Sequence, residues 1–214
     1  MKRFVITILS LSLLGLSALV RAEAETPDVL VATAVNEVIA AIKQENKDKK
    51  KIQALVDEKV LPLFDFTLMT KRAVGRVWRT ATAKQKKALV EEFRDLLVRV
   101  FIAKAFTGSA NFSVRFEPSH FSTGDDRATV RTKLIVQGEP PLSVDYDLKK
   151  TSSGWKVVDF AIAGPRLALD IYRNQFRTPV QESGLDGLIK FLVEKNHDAE
   201  LKNVEQPLKK ASLK

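Results

Sequence analysis

Asp159 is the residue in this chain whose setting most suggests chemistry. It interrupts the run Trp155 to Ala163, in which every other residue except Lys156 is apolar. A carboxylate buried among such neighbours has a raised pKa and can serve as a general base. As an enzyme on an apolar substrate the chain would use Asp159 or Tyr146 as the acid or base, and would need a polar pair inside the cavity, for which the sequence offers no clear histidine or second carboxylate. The plainer role for Asp159 is to accept hydrogen bonds from backbone or tyrosine donors. Asp145 and Asp147 flank Tyr146 and alternate onto the polar face of their strand, where water solvates them. His120 and His197 are the only histidines, one in a predicted loop and one at a helix end, and no spacing supplies the carboxylates a zinc site would need. Arg166, Arg173 and Arg177 recur along one helical region and can hold a phosphate. On a solvated helix face the same arginines need no ligand. The chain has no cysteine, which excludes disulfides, thiolate nucleophiles and thiolate metal sites. It also lacks G-x-S-x-G, P-loop and H-E-x-x-H motifs.

The elements that position these residues follow from hydrophobic period. Thr26-Pro27-Asp28 predicts a helix start, with Val31, Val35, Val38, Ile39 and Ile42 on one face. A second short helix carries Ile52, Leu55, Val56 and Val60 and stops at Pro62. Asp65 caps a third, which ends at Gly75. Thr82 to Gln85 forms a capping box that opens the longest helix, to about Phe106, with Leu89, Phe93, Leu96, Leu97, Val100 and Phe101 as its stripe.

After Gly108 the period becomes two. Strands are expected around 112–116, 128–136, 142–148 and 155–163, joined by short turns as an antiparallel meander. The last is apolar on both faces. Strict alternation places Trp155, Val157, Asp159 and Ala161 on one side and Lys156, Val158, Phe160 and Ile162 on the other. Gly164-Pro165 breaks that strand and starts a helix to Phe176. Arg177-Thr178-Pro179 separates it from a last helix around 185–195. The fold class is α+β: a curved four-stranded antiparallel sheet packed by N-terminal and C-terminal helices.

The first residues read as an export signal. Lys2 and Arg3 precede an apolar run from Phe4 to Val20, and small residues follow at Ala22 and Ala24. Residues 1–22 are expected to be a signal peptide, cut after 22 or 24. Residues 25–196 then form a single domain, and 197–214 a flexible lysine-rich tail. Removing Lys2, Arg3 and Arg21 lowers the formal charge from +9 to +6. That mild, dispersed basicity favours solubility and could assist docking on an anionic surface. No helix-turn-helix or aromatic-interleaved basic patch points to nucleic acid.

Three stretches in series carry a family resemblance. They are VLPLFDFTLMTKRAVGRVWRTATAKQKKALVEEFRDLLVRVF (Val60 to Phe101), GWKVVDFAIAGPRLALDIYRNQF (Gly154 to Phe176) and GLDGLIKFL (Gly184 to Leu192). Together they resemble the MlaC family, also called the toluene-tolerance auxiliary family of periplasmic phospholipid-binding proteins. The resemblance implies a nuclear-transport-factor-like fold with extra helices. It implies a periplasmic phospholipid carrier in a Gram-negative cell, maintaining outer-membrane lipid asymmetry. Its implied partners are an inner-membrane ABC transporter with an MCE-domain subunit and an outer-membrane lipoprotein–porin complex. Phospholipid would be cargo, with no cofactor, metal or covalent chemistry. On that footing Phe93, Leu97, Val100 and Phe101 of the long helix would face Val130, Leu134, Val144 and Tyr146 on the sheet. Val74 and Trp78 would close one end. A filled core would use the same residues, since both need apolar inward faces.

Overall fold

The computed structural model describes residues 26–44, 49–107, 112–119, 121–122 and 124–197. The expected signal peptide and nearly all of the expected tail lie outside the described residues. Helix α1 (Pro27–Gln44) starts at the proline, and α2 (Lys49–Leu55) runs on into a π-helical turn, Val56–Val60, and a 3-10 turn, Leu61–Leu63, that contains Pro62. Helix α3 (Phe66–Val74) is capped by the Asp65 carboxylate, which accepts from Leu68 N–H at 2.8 Å. Gly75 ends α3 at φ 74, a conformation that disfavours a Cβ, and a 3-10 turn, Gly75–Arg79, follows. Helix α4 (Ala83–Thr107) opens with the expected reciprocal cap: Gln85 N–H donates to Thr82 Oγ1 at 3.2 Å, and Thr82 N–H to Gln85 Oε1 at 3.0 Å.

Strands β1 (Phe112–Phe116), β2 (Arg127–Val136), β3 (Leu142–Thr151) and β4 (Gly154–Ile162) form one antiparallel sheet in the order β1-β2-β3-β4. The α+β meander with helices before and after is therefore the observed fold class. Register puts Val114 opposite Leu134, Leu134 opposite Leu142, Thr132 opposite Val144, and Val130 opposite Tyr146. Cross-strand partners share a face, so these residues make one continuous inner surface. The chain after α2 ties down the far edge of β4: Asp65 N–H donates to Val157 O at 2.9 Å, and Lys156 Nζ to Pro62 O at 2.6 Å.

Strand β4 departs from strict alternation. Tyr146 pairs with Phe160 and Asp147 with Asp159, but Leu148 pairs with Val157, so Val158 is an extra residue at a bulge. The bulge puts Trp155, Val157, Phe160 and Ile162 on the inner face. Asp159 and Ala161 go to the outer one. The expected grouping of Asp159 with Trp155 and Val157 is corrected accordingly.

The expected helix from Pro165 also differs. The turn Leu167–Tyr172 is π-helical and leads directly into α5 (Arg173–His197). Pro179 does not end that helix. The break falls at Ser183 and Gly184, the latter at φ 65. Phe176 and Val180 both pack on the helical core, which offsets the backbone hydrogen bond lost at Pro179.

That core lies among α3, α4, α5 and the π-helical turn. Met69, Leu89, Phe93, Leu188 and Leu192 are wholly buried, with Phe160 reaching in from β4. Phe93 meets the Tyr172 and Phe176 rings edge-on, at centroid distances of 4.9 and 5.3 Å. A second cluster forms where Val31 of α1 covers Val130, Leu148 and Val157 of the sheet.

Candidate functional site

The inner face of the sheet changes character along its length. Ala128, Val130, Leu148 and Val157 are buried at the end that α1 covers. Toward β1 and the opposite ends of β2 and β3, burial is only partial. Phe112, Val114 and Phe116 of β1 are partly exposed, as are Leu134, Val136, Leu142 and Val144. The result is an apolar surface that the described protein covers incompletely. Such a surface is costly in water unless something apolar lies against it.

The residues singled out for a lining separate on this map. Phe93 and Leu97 of α4 are buried in the helical cluster, as are Val74 and Trp78, each 8% exposed. Val130 belongs to the second cluster, under α1. Leu134 and Val144 lie on the partly covered surface. Tyr146 stands between the two clusters and packs against both. The side chains of Val100 and Phe101 lie outside the described residues. Phe112, Val114, Phe116, Val136 and Leu142 were not singled out, although their alternation placed them on the same face. What was missing from the pattern was which inner residues stay partly open.

Tyr146 and Thr132 are polar groups in the middle of this face. Burial pushes the Tyr146 phenol up to about 12, with the nearby Thr132 hydroxyl opposing the shift. Thr132 itself donates to Val144 O at 2.9 Å. Tyr146 thus stays neutral and serves as a polar edge to an apolar wall.

Asp159 lies on the other side of the sheet. Its carboxylate accepts from Phe160 and Ala168 N–H at 2.9 Å each and from Leu169 N–H at 3.3 Å. It therefore caps the π-helical turn. Burial raises its pKa, and the backbone hydrogen bonds and the Arg72 charge work against that rise. Tyr146 pairs with Phe160, so Asp159 and Tyr146 face opposite sides of the sheet and do not form a polar pair in one cavity. Asp147 takes a role the sequence did not suggest. It accepts from Arg166 Nε at 2.5 Å and from Thr129 Oγ1 at 2.9 Å, joining β2, β3 and the entrance to the turn. Asp145 faces Arg131 at 3.9 Å, and burial raises its pKa.

The three arginines expected along the last helices do not act together. Arg166 is paired with Asp147. Arg173 and Arg177 line a cleft of about 530 Å³ between α3, its following 3-10 turn and α5. His197 is exposed at the end of α5, and His120 lies outside the described residues. Among the described residues no helix is long and apolar enough to cross a membrane, and no group of three or more His, Asp or Glu is placed to hold a metal.

A family model described as MlaC protein matches residues 32–194. Among solved structures, a phospholipid-binding protein from Ralstonia solanacearum, in complex with a phospholipid, is similar at a TM-score of 0.72 and 34% identity. The alignment covers 79% of this chain and 96% of that one.

Proposed function

The chain belongs to the MlaC family, and from that membership we propose that it is a phospholipid carrier whose acyl chains lie on the partly covered inner face of the sheet. The observation that carries this reading is the surface of Val114, Phe116, Leu134, Leu142 and Val144, apolar and yet only partly buried. The similarity to a structure with phospholipid bound supports it. Releasing a two-chain lipid from a bilayer exposes about thirty methylenes, at roughly 0.8 kcal/mol each a cost on the order of 20 kcal/mol. Only an extensive apolar surface offsets such a cost. The head group can remain in water.

In this reading residues 1–22 direct export, the mature chain works in the periplasm, and it is a binding protein rather than an enzyme. It exchanges lipid with an inner-membrane ABC transporter that has an MCE-domain subunit and with an outer-membrane lipoprotein–porin complex, and so keeps the outer membrane asymmetric. The chain carries no nucleotide-binding motif, so the energy for directed transport comes from the ABC partner.

The test is to express the full chain with its own leader in a Gram-negative host, purify it and extract it with solvent. Mass spectrometry is expected to find co-purified phospholipid, and N-terminal sequencing a chain beginning at residue 23 or 25. Lipid-free protein that also takes up nothing from vesicles would sink the carrier reading.

A further inference from the structure

The cleft between α3 and α5 is lined by Lys71, Arg72, Arg76, Arg79, Arg173 and Arg177, and by no acidic residue. Two of the six are held by the fold. Arg72 donates to Val158 O at 3.0 Å, and Arg173 Nε donates to Arg72 O at 2.9 Å, which pins α5 to α3 and α3 to β4. Lys71, Arg76, Arg79 and Arg177 are exposed and have no acidic partner among the described residues. Among the described residues Arg177 donates only to the Asn174 amide oxygen, at 3.3 Å. Lys86 adds a further cation, 5.8 Å from the centre of the Trp78 ring. Like charges crowded on one concavity repel, and a bound anion relieves that repulsion.

The cleft also has an apolar side. Val74, Val77, Trp78, Phe176 and Val180 line it together with the cations. None of its lining residues comes from the sheet. Its volume of about 530 Å³ lies in the range of small-molecule sites, and a concavity suits a molecule better than a flat membrane.

We propose that this cleft is a second binding site, for an anionic amphiphile. The arginines hold its phosphate, and the part-exposed Val77 and Val180, with the exposed edges of Val74 and Trp78 between them, take the adjoining apolar segment. Arg76, Arg79 and Arg177 supply planar donors that fit phosphate oxygens in pairs. The site does not depend on what occupies the inner face of the sheet.

The experiment titrates the mature chain with lysophosphatidylglycerol, lysophosphatidylcholine and inorganic phosphate by calorimetry. The protein is first saturated with phosphatidylcholine, so that any sheet-face ligand is already present. A Trp155→Phe background leaves Trp78 as the sole tryptophan and makes its fluorescence a report from the cleft itself. Lysophosphatidylglycerol is expected to bind at least about tenfold tighter than lysophosphatidylcholine, and added salt should shrink the difference. The exposed double variant Arg76→Gln/Arg177→Gln should lose that preference with an unchanged melting curve, and Arg76→Lys/Arg177→Lys should keep most of it. Equal affinity for the two lysolipids, or a preference that survives the glutamine variant, overturns the proposal and leaves the cations free for an acidic protein partner. Inorganic phosphate binding as tightly as lysophosphatidylglycerol would mean that the apolar side takes no part, and would overturn it equally. Failure here leaves the carrier reading intact, because that reading is tested on co-purified lipid.

Discussion

The helical core and the inner face of the sheet are built from the same residue types, yet they are finished differently. Around Phe93 the aromatic rings of Tyr172 and Phe176 and the side chains of Leu89, Leu188 and Leu192 close on one another until no water reaches them. On the inner face of the sheet, the end under α1 reaches that state, as do Thr132 and Phe160. Phe116, Leu134, Leu142 and Val144 keep part of their surface accessible. Apolar side chains are stabilised by leaving water, whatever takes the water's place. A face that the protein itself covers fully contributes to folding. A face that it covers in part retains free energy that a ligand can use.

This difference can be broken by mutation, and the largest effect is expected in the helical core. Phe93→Ala should cost about 3–5 kcal/mol, read as a lower midpoint in urea, because it empties a fully enclosed site between two rings. The folded fraction should still carry lipid. Val144→Arg should do the reverse. It is expected to shift the urea midpoint by no more than about 1 kcal/mol, since the site is partly exposed, and to remove most co-purified phospholipid. If Val144→Arg unfolds the protein as Phe93→Ala does, the sheet face is core and the contrast disappears.

Asp159 tests the boundary between the two regions. Burial holds its pKa above the ordinary 3.8, so the folded chain keeps this proton at pH values where the unfolded chain has lost it. Its contribution to stability is therefore greatest below pH 3.8. It is lost as pH rises through the window between 3.8 and the raised native value. The stability of the wild type minus that of Asp159→Asn should fall with rising pH across that window and then level off. Asp145, also raised, is present in both proteins and cancels. A difference that grows with pH would mean that the backbone donors outweigh burial. The smallest effect concerns Tyr172, whose buried hydroxyl has no hydrogen-bond partner among the described residues. Tyr172→Phe removes an unsatisfied polar group and should raise the urea midpoint by an equivalent of about 1 kcal/mol.

Much of this arrangement was legible beforehand because it is local. The Asp65 cap, the Thr82–Gln85 box, the stop at Gly75 and the period-two strands each depend on residues within a few positions of one another. Two readings failed at β4 and α5 for a shared reason. A bulge adds one residue without changing composition, so nothing in the run from Trp155 to Ile162 marks Val158 as the extra one. Pro179 is a strong local breaker, but packing of Phe176 and Val180 outweighs it, and the chain turns instead at Gly184. The candidate site was legible only as a set of inward residues. Leu134 and Val144, which the fold leaves partly exposed, and Phe93 and Leu97, which it buries, look alike in the sequence.

The sequence alone determined the order of helices and strands, their caps and, outside the bulged β4, which side chains share a face, since each follows from spacing along one element. Tertiary structure decided the rest. It decided that Asp159 caps a helical turn rather than meeting Tyr146, that Arg173 and Arg177 join the cations of α3 while Arg166 leaves them for Asp147, and which apolar faces are filled. Those outcomes depend on what lies opposite each element, and hydrophobic patterning specifies that a face must be covered without specifying by what.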